Sequence, residues 1–215
     1  MTDIVIYGAS GHAKVIIDII EQTGIHNIIG LVDDTGASDS LMGYPVAKDI
    51  RTYLEQGTRR GLVAIGDNWN RSRIVGKIID KCSEFKFITV LHPSIRKARG
   101  VEIGDGSVVM AGCNINSCTR IGSHCIINTG ANIDHDCTIY DYASIAPGAT
   151  LGGNVVVGEY SAVGLGASVI QKVEIGSNTV IGAGSVVVNN IPAKCVSFGN
   201  PCKFIRKREV DESYL

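Results

Sequence analysis

Aliphatic residues recur at every sixth position between 103 and 187 without a break. The fifteen positions are Ile103, Val109, Ile115, Ile121, Ile127, Ile133, Ile139, Ile145, Leu151, Val157, Val163, Val169, Ile175, Ile181 and Val187. A small or narrow side chain follows each of the first fourteen anchors after four residues, as at Ser107, Cys113 and Ala131. Internal repeats of fixed period define the fold of a whole chain. The pattern therefore predicts an array of six-residue structural units.

A six-residue unit is too short for a pair of helices, but it fits one short strand on one face of a parallel β-helix. Three units make a coil of eighteen residues, and successive coils stack at about 4.8 Å, the spacing of paired strands. β-branched anchors suit the interior of such a prism, and glycines directly after anchors, such as Gly104, Gly122 and Gly152, relieve the corners. We expect a triangular prism of about five coils.

The first ninety residues follow a different pattern, in which apolar strands alternate with helices that have one apolar face. The strands are predicted over residues 4–7, 28–32, 62–65 and 86–90, and the helices over 13–23 and 71–81. Such alternation predicts a small parallel α/β sheet with its ligand crevice at the carboxyl ends of the strands. We expect a Rossmann-like domain over residues 1–95, the β-helix over 96–192, and a C-terminal extension over 193–215.

Composition excludes several classes of function. A net charge of −1 and a pI near 6.5 provide no electrostatic case for nucleic acid or an anionic membrane surface. No apolar stretch reaches the ~18 residues of a membrane span, and the N-terminus begins a strand pattern instead of a basic signal region. The seven cysteines include no C-x-x-C pair, so we expect no metal and a reducing, cytoplasmic environment. Cys113, Cys125 and Cys137 occupy small interior positions and are interpreted as packing residues.

Four motifs occur together in this chain: Gly-Ala-Ser-Gly-His at 8–12, the six-residue array, the segment 128–136 that ends in His135-Asp136, and Gly-Asn-Pro-Cys-Lys at 199–203. The combination resembles one subfamily of left-handed β-helix hexapeptide acyltransferases, over almost the whole chain. It comprises the bacterial nucleotide-activated amino-sugar N-acetyltransferases and the related sialic-acid O-acetyltransferases. The resemblance implies a homotrimer that transfers acetyl from acetyl-CoA to the amine of a UDP- or dTDP-linked 4-amino-deoxysugar. The amine would attack directly, without a covalent enzyme intermediate.

His135 is the candidate general base. It stands at the third position of its hexad, which points outward, and a neutral imidazole suits the removal of a proton from an attacking amine. Asp136 follows where the subfamily commonly has Glu, and we expect it to orient the imidazole and stabilise its protonated form, although its side chain is shorter. The alternative interpretation is a solvated surface histidine beside an aspartate.

The N-terminal domain carries the candidate contacts to the nucleotide sugar. Backbone N–H groups at the start of a helix favour a pyrophosphate, and the resemblance implies contacts to the base at the end of the second strand. The candidates are Ser10, Gly11, His12, Asp33, Asp34 and Gly66, with Asn128 for the sugar or as a structural turn residue. An NAD site would fit Asp33 nearly as well, but the glycine loop lacks the G-x-G-x-x-G spacing.

Acetyl-CoA is expected in a groove between neighbouring β-helices. By resemblance its contacts are Gly153, Leu165 and Ala183, which we expect to form one flat track on successive coils, although glycines also serve corners. In the subfamily a second histidine often stands nine residues after the catalytic one and touches the cofactor. Here that position is Ser144. Its hydroxyl could still form a hydrogen bond to the cofactor, but unlike an imidazole it cannot take up a proton.

Three rival functions remain open from the sequence. The first is a sugar O-acetyltransferase of the sialic-acid type. The second is a carbonic-anhydrase-like metal site, which needs three histidines, whereas the array contains only His124 and His135 at a spacing off its period. The third is a non-catalytic nucleotide-sugar-binding module, against which the His-Asp pair argues.

Overall fold

In the computed structural model, which describes residues 1–213, the N-terminal residues form a six-stranded sheet with helices packed against it. The strands are β1 (Thr2–Tyr7), β2 (His26–Val32), β3 (Ser40–Leu41), β4 (Tyr44–Ala47), β5 (Arg60–Val63) and β6 (Lys86–Phe87), and the helices are α1 (Gly11–Thr23), α2 (Arg51–Leu54) and α3 (Asn68–Lys81). The strand order is β3-β4-β2-β1-β5-β6, parallel except for the β3-β4 hairpin. This is the predicted α/β sheet.

The sequence did not predict the hairpin or α2, because strands of two and four residues and a four-residue helix are too short to show a period. The predicted helices also begin earlier than expected. Asp67 provides the N-cap of α3, since its side chain accepts a hydrogen bond from the Asn70 backbone N–H at 2.9 Å. The predicted strand 86–90 is wrong as one element: β6 joins the α/β sheet, but β7 (Val90–Leu91) pairs with the β-helix.

Two-residue strands form the three sheets of the β-helix, which we call faces 1, 2 and 3. Face 1 contains β7, β10 (Val108–Val109), β13 (Ile126–Ile127), β16 (Ser144–Ile145), β19 (Ala162–Val163) and β22 (Val180–Ile181). Face 2 contains β8 (Arg96–Lys97), β11 (Asn114–Ile115), β14 (Asn132–Ile133), β17 (Thr150–Leu151), β20 (Ser168–Val169) and β23 (Val186–Val187). Face 3 contains β9 (Glu102–Ile103), β12 (Arg120–Ile121), β15 (Thr138–Ile139), β18 (Val156–Val157) and β21 (Glu174–Ile175).

The interior of the prism is the predicted one. All anchors from Val109 onward are buried, as are the small residues four positions after each anchor, so the packing role of the three interior cysteines is confirmed. Paired strands are offset by eighteen residues throughout, as in Val109 opposite Ile127. A Cβ at Gly104 would lie 2.6 Å from backbone atoms of the next coil, which explains glycine directly after an anchor.

The β pattern continues beyond the predicted end at 192. Residues 195–199 form β24 (Cys195–Gly199), which pairs in parallel with β22, and β25 (Cys202–Lys207) returns antiparallel to it. Both strands extend face 1, so part of the expected C-terminal extension belongs to the β-helix sheet. The sequence hid this because Pro192 and Pro201 interrupt the six-residue period.

Three edges connect the faces, and the third residue of the turn at each edge has a positive φ. The glycine edge, between faces 1 and 2, has Gly130, Gly148, Gly166 and Gly184 there. The histidine edge, between faces 2 and 3, contains residues 134–136 and 152–154. The aromatic edge, between faces 3 and 1, contains residues 122–124, 140–142 and 158–160.

The α/β unit packs on face 1. Val90, Val108, Met110 and Ile126 of face 1 share one buried apolar cluster with α1 and β1. This contact brings the carboxyl ends of the α/β strands next to the outer surface of the β-helix. A cleft is left between the two units, and several of the candidate site residues line it.

Candidate active site

A cavity of about 420 Å³ lies between the α/β unit and the β-helix. Its wall is mostly apolar and is formed by face 1 and the glycine edge, including Pro147, Ala162 and Val180. The predicted site residues that line it are His12, Gly66, Asn128, Ser144, Leu165 and Ala183. One cavity therefore brings together residues predicted separately for the nucleotide sugar and for the cofactor.

His135 lies outside this cavity, on the histidine edge. Its side chain is about half exposed, with 53% of its surface accessible. His135 Nδ1 is 2.7 Å from Asp136 Oδ2, so the shorter aspartate does reach the imidazole. It reaches because Asp136 has φ 58°, a left-handed conformation that aspartate tolerates better than most residues.

Two carboxylates influence the proton affinity of His135. The hydrogen bond that His135 donates to Asp136 raises the pKa of His135 above its usual 6.5, and the negative charge of Asp134 raises it further. Because the carboxylate only accepts, Nδ1 carries the proton and the neutral ring presents Nε2 as the acceptor. This arrangement is able to accept a proton at Nε2.

The expectation of one flat cofactor track is wrong. Gly153 stacks on His135: a Cβ there would lie 2.7 Å from Cε1 and Nε2 of the imidazole. Leu165 and Ala183 lie on the glycine edge instead, one face away. The reason is the coil length, since residues eighteen apart share an edge and residues 153 and 165 are twelve apart.

The turn that begins α1 is braced by the end of β2. Asp33 accepts hydrogen bonds from the Ala9 backbone N–H at 3.3 Å and from the Thr35 backbone N–H at 2.9 Å. Ser10 occupies the N-cap of α1 without a side-chain capping bond, so the start of this helix is not closed by its own cap. Ser10 and Gly11 are exposed at this point.

Asp34 is engaged by two groups that the sequence did not single out. Its Oδ2 accepts a hydrogen bond from the Tyr7 hydroxyl at 3.2 Å and lies 3.4 Å from Lys77 Nζ. Burial and this carboxylate raise the pKa of Tyr7 to about 12, so the phenol stays protonated and donates. These contacts fix the Asp34 side chain at the carboxyl end of the sheet.

Ser144 belongs to a buried polar network, which the sequence did not reveal. Its hydroxyl donates to Asn68 Oδ1 at 2.6 Å, and Asn68 Nδ2 donates to the Tyr160 carbonyl at 3.1 Å. Arg71 donates to the carbonyls of Gly66 and of Tyr142, both at 2.9 Å. The network ties α3 to the aromatic edge and sets the position of Gly66 in the cavity wall.

A signal for this network existed in the sequence. Asn68 and Arg71 stand three residues apart, so they share one face of α3. Both are 1% exposed, and polar residues at buried helical positions require hydrogen-bond partners elsewhere in the fold. Periodicity predicted the helix only from 71 and therefore missed this pair.

His124 is not arranged as a metal ligand. It is stacked on Tyr142 with ring centroids 5.0 Å apart on the aromatic edge, away from His135. Residues 1–213 contain no group of three or more His, Cys, Asp or Glu side chains placed to hold a metal ion. His124, the second histidine that the array could provide for a carbonic-anhydrase-like site, is therefore part of an aromatic stack.

No helix within residues 1–213 is long and apolar enough to cross a membrane.

Two histidines, the buried His124 and the half-buried His12, make the protein sensitive to acid. Burial first, and then the nearby Arg71 charge, lowers the pKa of His12 and of His124 to about 4 in both cases. Between about pH 6.5 and 4 the unfolded chain takes up protons at these sites and the folded chain does not, so stability falls as the pH falls. We expect a loss of about 3 kcal/mol for each histidine by pH 4.

Urea unfolding at a series of pH values measures this loss. His124→Phe is the informative variant, because it keeps an aromatic ring in the stack and removes the titrating group. The variant should lose about half of the acid sensitivity that these two sites produce. An unchanged dependence of unfolding free energy on pH in His124→Phe would contradict the assignment.

Comparison with known proteins places these features in context. Residues 3–94 match the family of PglD N-terminal domains. UDP-N-acetylbacillosamine N-acetyltransferase from Bacillus subtilis (strain 168) is 37% identical over 117 residues, which are 52% of this chain and 52% of that protein. The chain thus matches about half the length of this curated relative.

Solved structures match over nearly the full length. Perosamine N-acetyltransferase from Caulobacter crescentus, in complex with CoA and GDP-perosamine, superimposes with a TM-score of 0.90 at 37% identity, covering 96% of this chain and 98% of that one. The acetyltransferase domain of PglB from Neisseria gonorrhoeae, in complex with acetyl coenzyme A, gives 0.86 at 32% identity, with 94% and 98% covered. The predicted fold class, a Rossmann-like domain joined to a left-handed β-helix, is confirmed by these matches.

Proposed function

This chain belongs to the family of bacterial nucleotide-amino-sugar N-acetyltransferases built from a PglD-type N-terminal domain and a left-handed β-helix, and from that premise we propose that it acetylates the amine of a nucleotide-linked amino sugar with acetyl-CoA. The observation that carries the mechanism is the 2.7 Å contact between His135 Nδ1 and Asp136 Oδ2 on an exposed edge. It leaves Nε2 directed away from its carboxylate partner and able to accept a proton.

In the proposed reaction the sugar amine attacks the thioester carbonyl carbon of acetyl-CoA. His135 Nε2 takes the proton that the nitrogen loses, the carbon–sulfur bond breaks, and the proton passes to the departing CoA thiolate. Asp136 stabilises the imidazolium that forms in between. Gly153 is required as glycine in this scheme, because a side chain there would collide with Nε2.

We propose a homotrimer, because the site residues of one chain lie on two different edges. His135 and Gly153 lie on the histidine edge, whereas Leu165 and Ala183 lie on the glycine edge with the cavity. Face 2 lies between these edges, and the histidine edge that borders it presents the exposed apolar side chains of Ile170 and Val188. A cyclic trimer that packs the histidine edge of one chain against the glycine edge of the next would complete three sites.

Acetyl-CoA fits the groove that such a contact creates. Leu165 and Ala183 lie on the glycine edge in the cavity wall, so the pantetheine chain would run along the backbone of this edge. We keep Gly153, Leu165 and Ala183 as the proposed cofactor contacts. Ser144 is buried and bonded to Asn68, so its proposed contact with the cofactor is limited to the cavity wall.

The nucleotide is proposed to bind at the carboxyl ends of β1, β2 and β5. The start of α1 at Ser10, Gly11 and His12 offers N–H groups to the pyrophosphate, and the Asp33 and Asp34 carboxylates lie at the end of β2 for the base and ribose. The relatives differ in base, since one is named for a UDP sugar and another was solved with GDP-perosamine. The sugar then extends toward Asn128 in the cavity.

Acceptor chemistry distinguishes this proposal from its nearest rival. Labelled acetyl-CoA offered with GDP-, UDP- and dTDP-linked amino sugars, and with sialic acid, separates transfer to an amine from transfer to a hydroxyl. We expect label on the amine acceptors. Transfer to the sialic-acid hydroxyl alone would establish the sugar O-acetyltransferase instead.

The proposed location is the cytoplasm, where acetyl-CoA is made. All seven cysteines are free thiols, as a reducing compartment requires.

Asp34→Ala should weaken nucleotide-sugar binding by about tenfold or more, the effect of removing one hydrogen bond to a charged group, and leave acetyl-CoA binding unchanged. The two ligands contact different units, which is the reason for the separation. Calorimetric titration with each ligand measures it. Lys77→Ala is the matched control, because it removes the neighbouring cation and retains the carboxylate. An equal loss for both ligands in Asp34→Ala would mean that Asp34 is structural.

A further inference from the structure

Asp134, the residue before His135, makes contacts that neither the sequence patterns nor the family resemblance singled out. Its Oδ1 accepts a hydrogen bond from Asn116 Nδ2 at 2.9 Å and from the His135 backbone N–H at 2.8 Å. Asn116 lies eighteen residues earlier and therefore directly below Asp134 on the adjacent coil. One carboxylate oxygen thus joins the preceding turn of the histidine edge to the backbone of the proposed base.

The backbone of the same turn is held from inside the prism. Thr119 is fully buried, and its hydroxyl donates to the Asp134 carbonyl at 2.7 Å. Both the carbonyl and the carboxylate of Asp134 are therefore anchored to the coil below. A residue that is held by both its backbone and its side chain has little freedom to move relative to its neighbours. The backbone from which the His135 side chain extends is therefore fixed in position.

We propose that Asp134, held by Asn116, is a positioning residue for His135, fixing the turn that carries the imidazole and placing a second negative charge beside it. This inference rests on the proposed function, in which His135 is the base. The charge on Asp134 is secure, because the Asn116 hydrogen bond lowers the pKa of its carboxyl below the ordinary value. The same charge is the second contribution to the raised pKa of His135, after the Asp136 hydrogen bond.

The charged groups around His135 are few. Within residues 1–213, the histidine edge carries Asp134 and Asp136 on the same coil, the uncharged Gly153 and Asn154 on the next, and Lys172 on the one after. Arg99 lies two coils below. Removal of Asp134 therefore leaves one adjacent carboxylate and two distant cations, and the proton affinity of His135 should fall.

The test is to titrate His135 in the Asp134→Asn variant of the full-length protein. NMR signals of the imidazole report its protonation at each pH. We expect the midpoint to fall by about half a pH unit, the order of magnitude expected for one nearby unit charge in water. The rising limb of the pH–rate profile should move to lower pH by the same amount. Asn116→Ala should cause a smaller shift in the same direction, because the carboxylate remains but is no longer held.

Asp141→Asn is the matched control. Asp141 also accepts a hydrogen bond from the coil below, in its case from the Ser123 backbone N–H at 2.8 Å, but it lies on the aromatic edge. The control removes an equivalent charge and should leave the His135 midpoint in place. An unchanged midpoint in Asp134→Asn, or an equal shift in Asp141→Asn, would overturn the inference. Full turnover in His135→Ala would instead overturn the proposed base, so the two failures are distinguishable.

Discussion

His135→Ala is expected to lower kcat by about 10²–10⁴, the range that a positioned general base contributes, with the binding of both substrates little changed. The attacking amine would then have to lose its proton to water. Steady-state kinetics with acetyl-CoA and an amino-sugar nucleotide measure the change. The half-exposed side chain makes few packing contacts, so the variant should fold normally, and an unchanged far-UV circular dichroism spectrum would establish this.

The dependence of the rate on pH should show in which direction the protonation of His135 changes turnover. His135 accepts a proton only when it is neutral, and its pKa is raised above 6.5, so the wild-type rate should rise through a midpoint above pH 6.5 and level off at higher pH. That limb should be absent in His135→Ala. Asp136→Asn should move the midpoint to lower pH and cost less in kcat than His135→Ala, because the proton acceptor remains. Near wild-type turnover with an unchanged profile in His135→Ala would make His135 a surface residue.

Two inactive variants should restore activity to each other within one trimer. His135→Ala removes the base from the histidine edge, and Ala146→Trp fills the cavity at the glycine edge, so each homotrimer should be inactive. In a mixed cyclic trimer one of the three interfaces joins an intact histidine edge to an intact cavity. Mixed trimers purified by two different tags should therefore show about one third of wild-type activity.

The controls for this experiment are the two homotrimers, purified and assayed in the same way. A further control mixes wild-type protein with a double variant that carries both substitutions in one chain. A mixed trimer with two wild-type chains should then also contain one fully intact interface. Mixed trimers that remain as inactive as the parents would show that the site is built within one chain. A monomer in light scattering at micromolar concentration would contradict the trimer itself.

The hexad and the alternation of strands and helices determined much of the architecture before any coordinates. Anchors such as Val109 and Ile145 are buried because a six-residue period admits one periodic solution for a parallel β-helix, and no loop interrupts it. His135 and Asp136 could be paired from sequence alone, because adjacent residues in a turn are close in any version of this fold. These features depend on local spacing.

Tertiary structure decided the features that depend on long-range contacts. The period is the same on all faces, so it cannot indicate that Gly153 stacks on His135 while Leu165 lines the cavity on another edge. The packing of α3 on the aromatic edge is a contact between two units, and this contact gives Ser144 its bond to Asn68 and Arg71 its bond to the Tyr142 carbonyl. Strand β24 likewise joins face 1 after the period has ended, because its pairing partner β22 is already in place. Periodicity is a property of neighbouring residues, whereas the site is formed by residues that the fold brings together from both units.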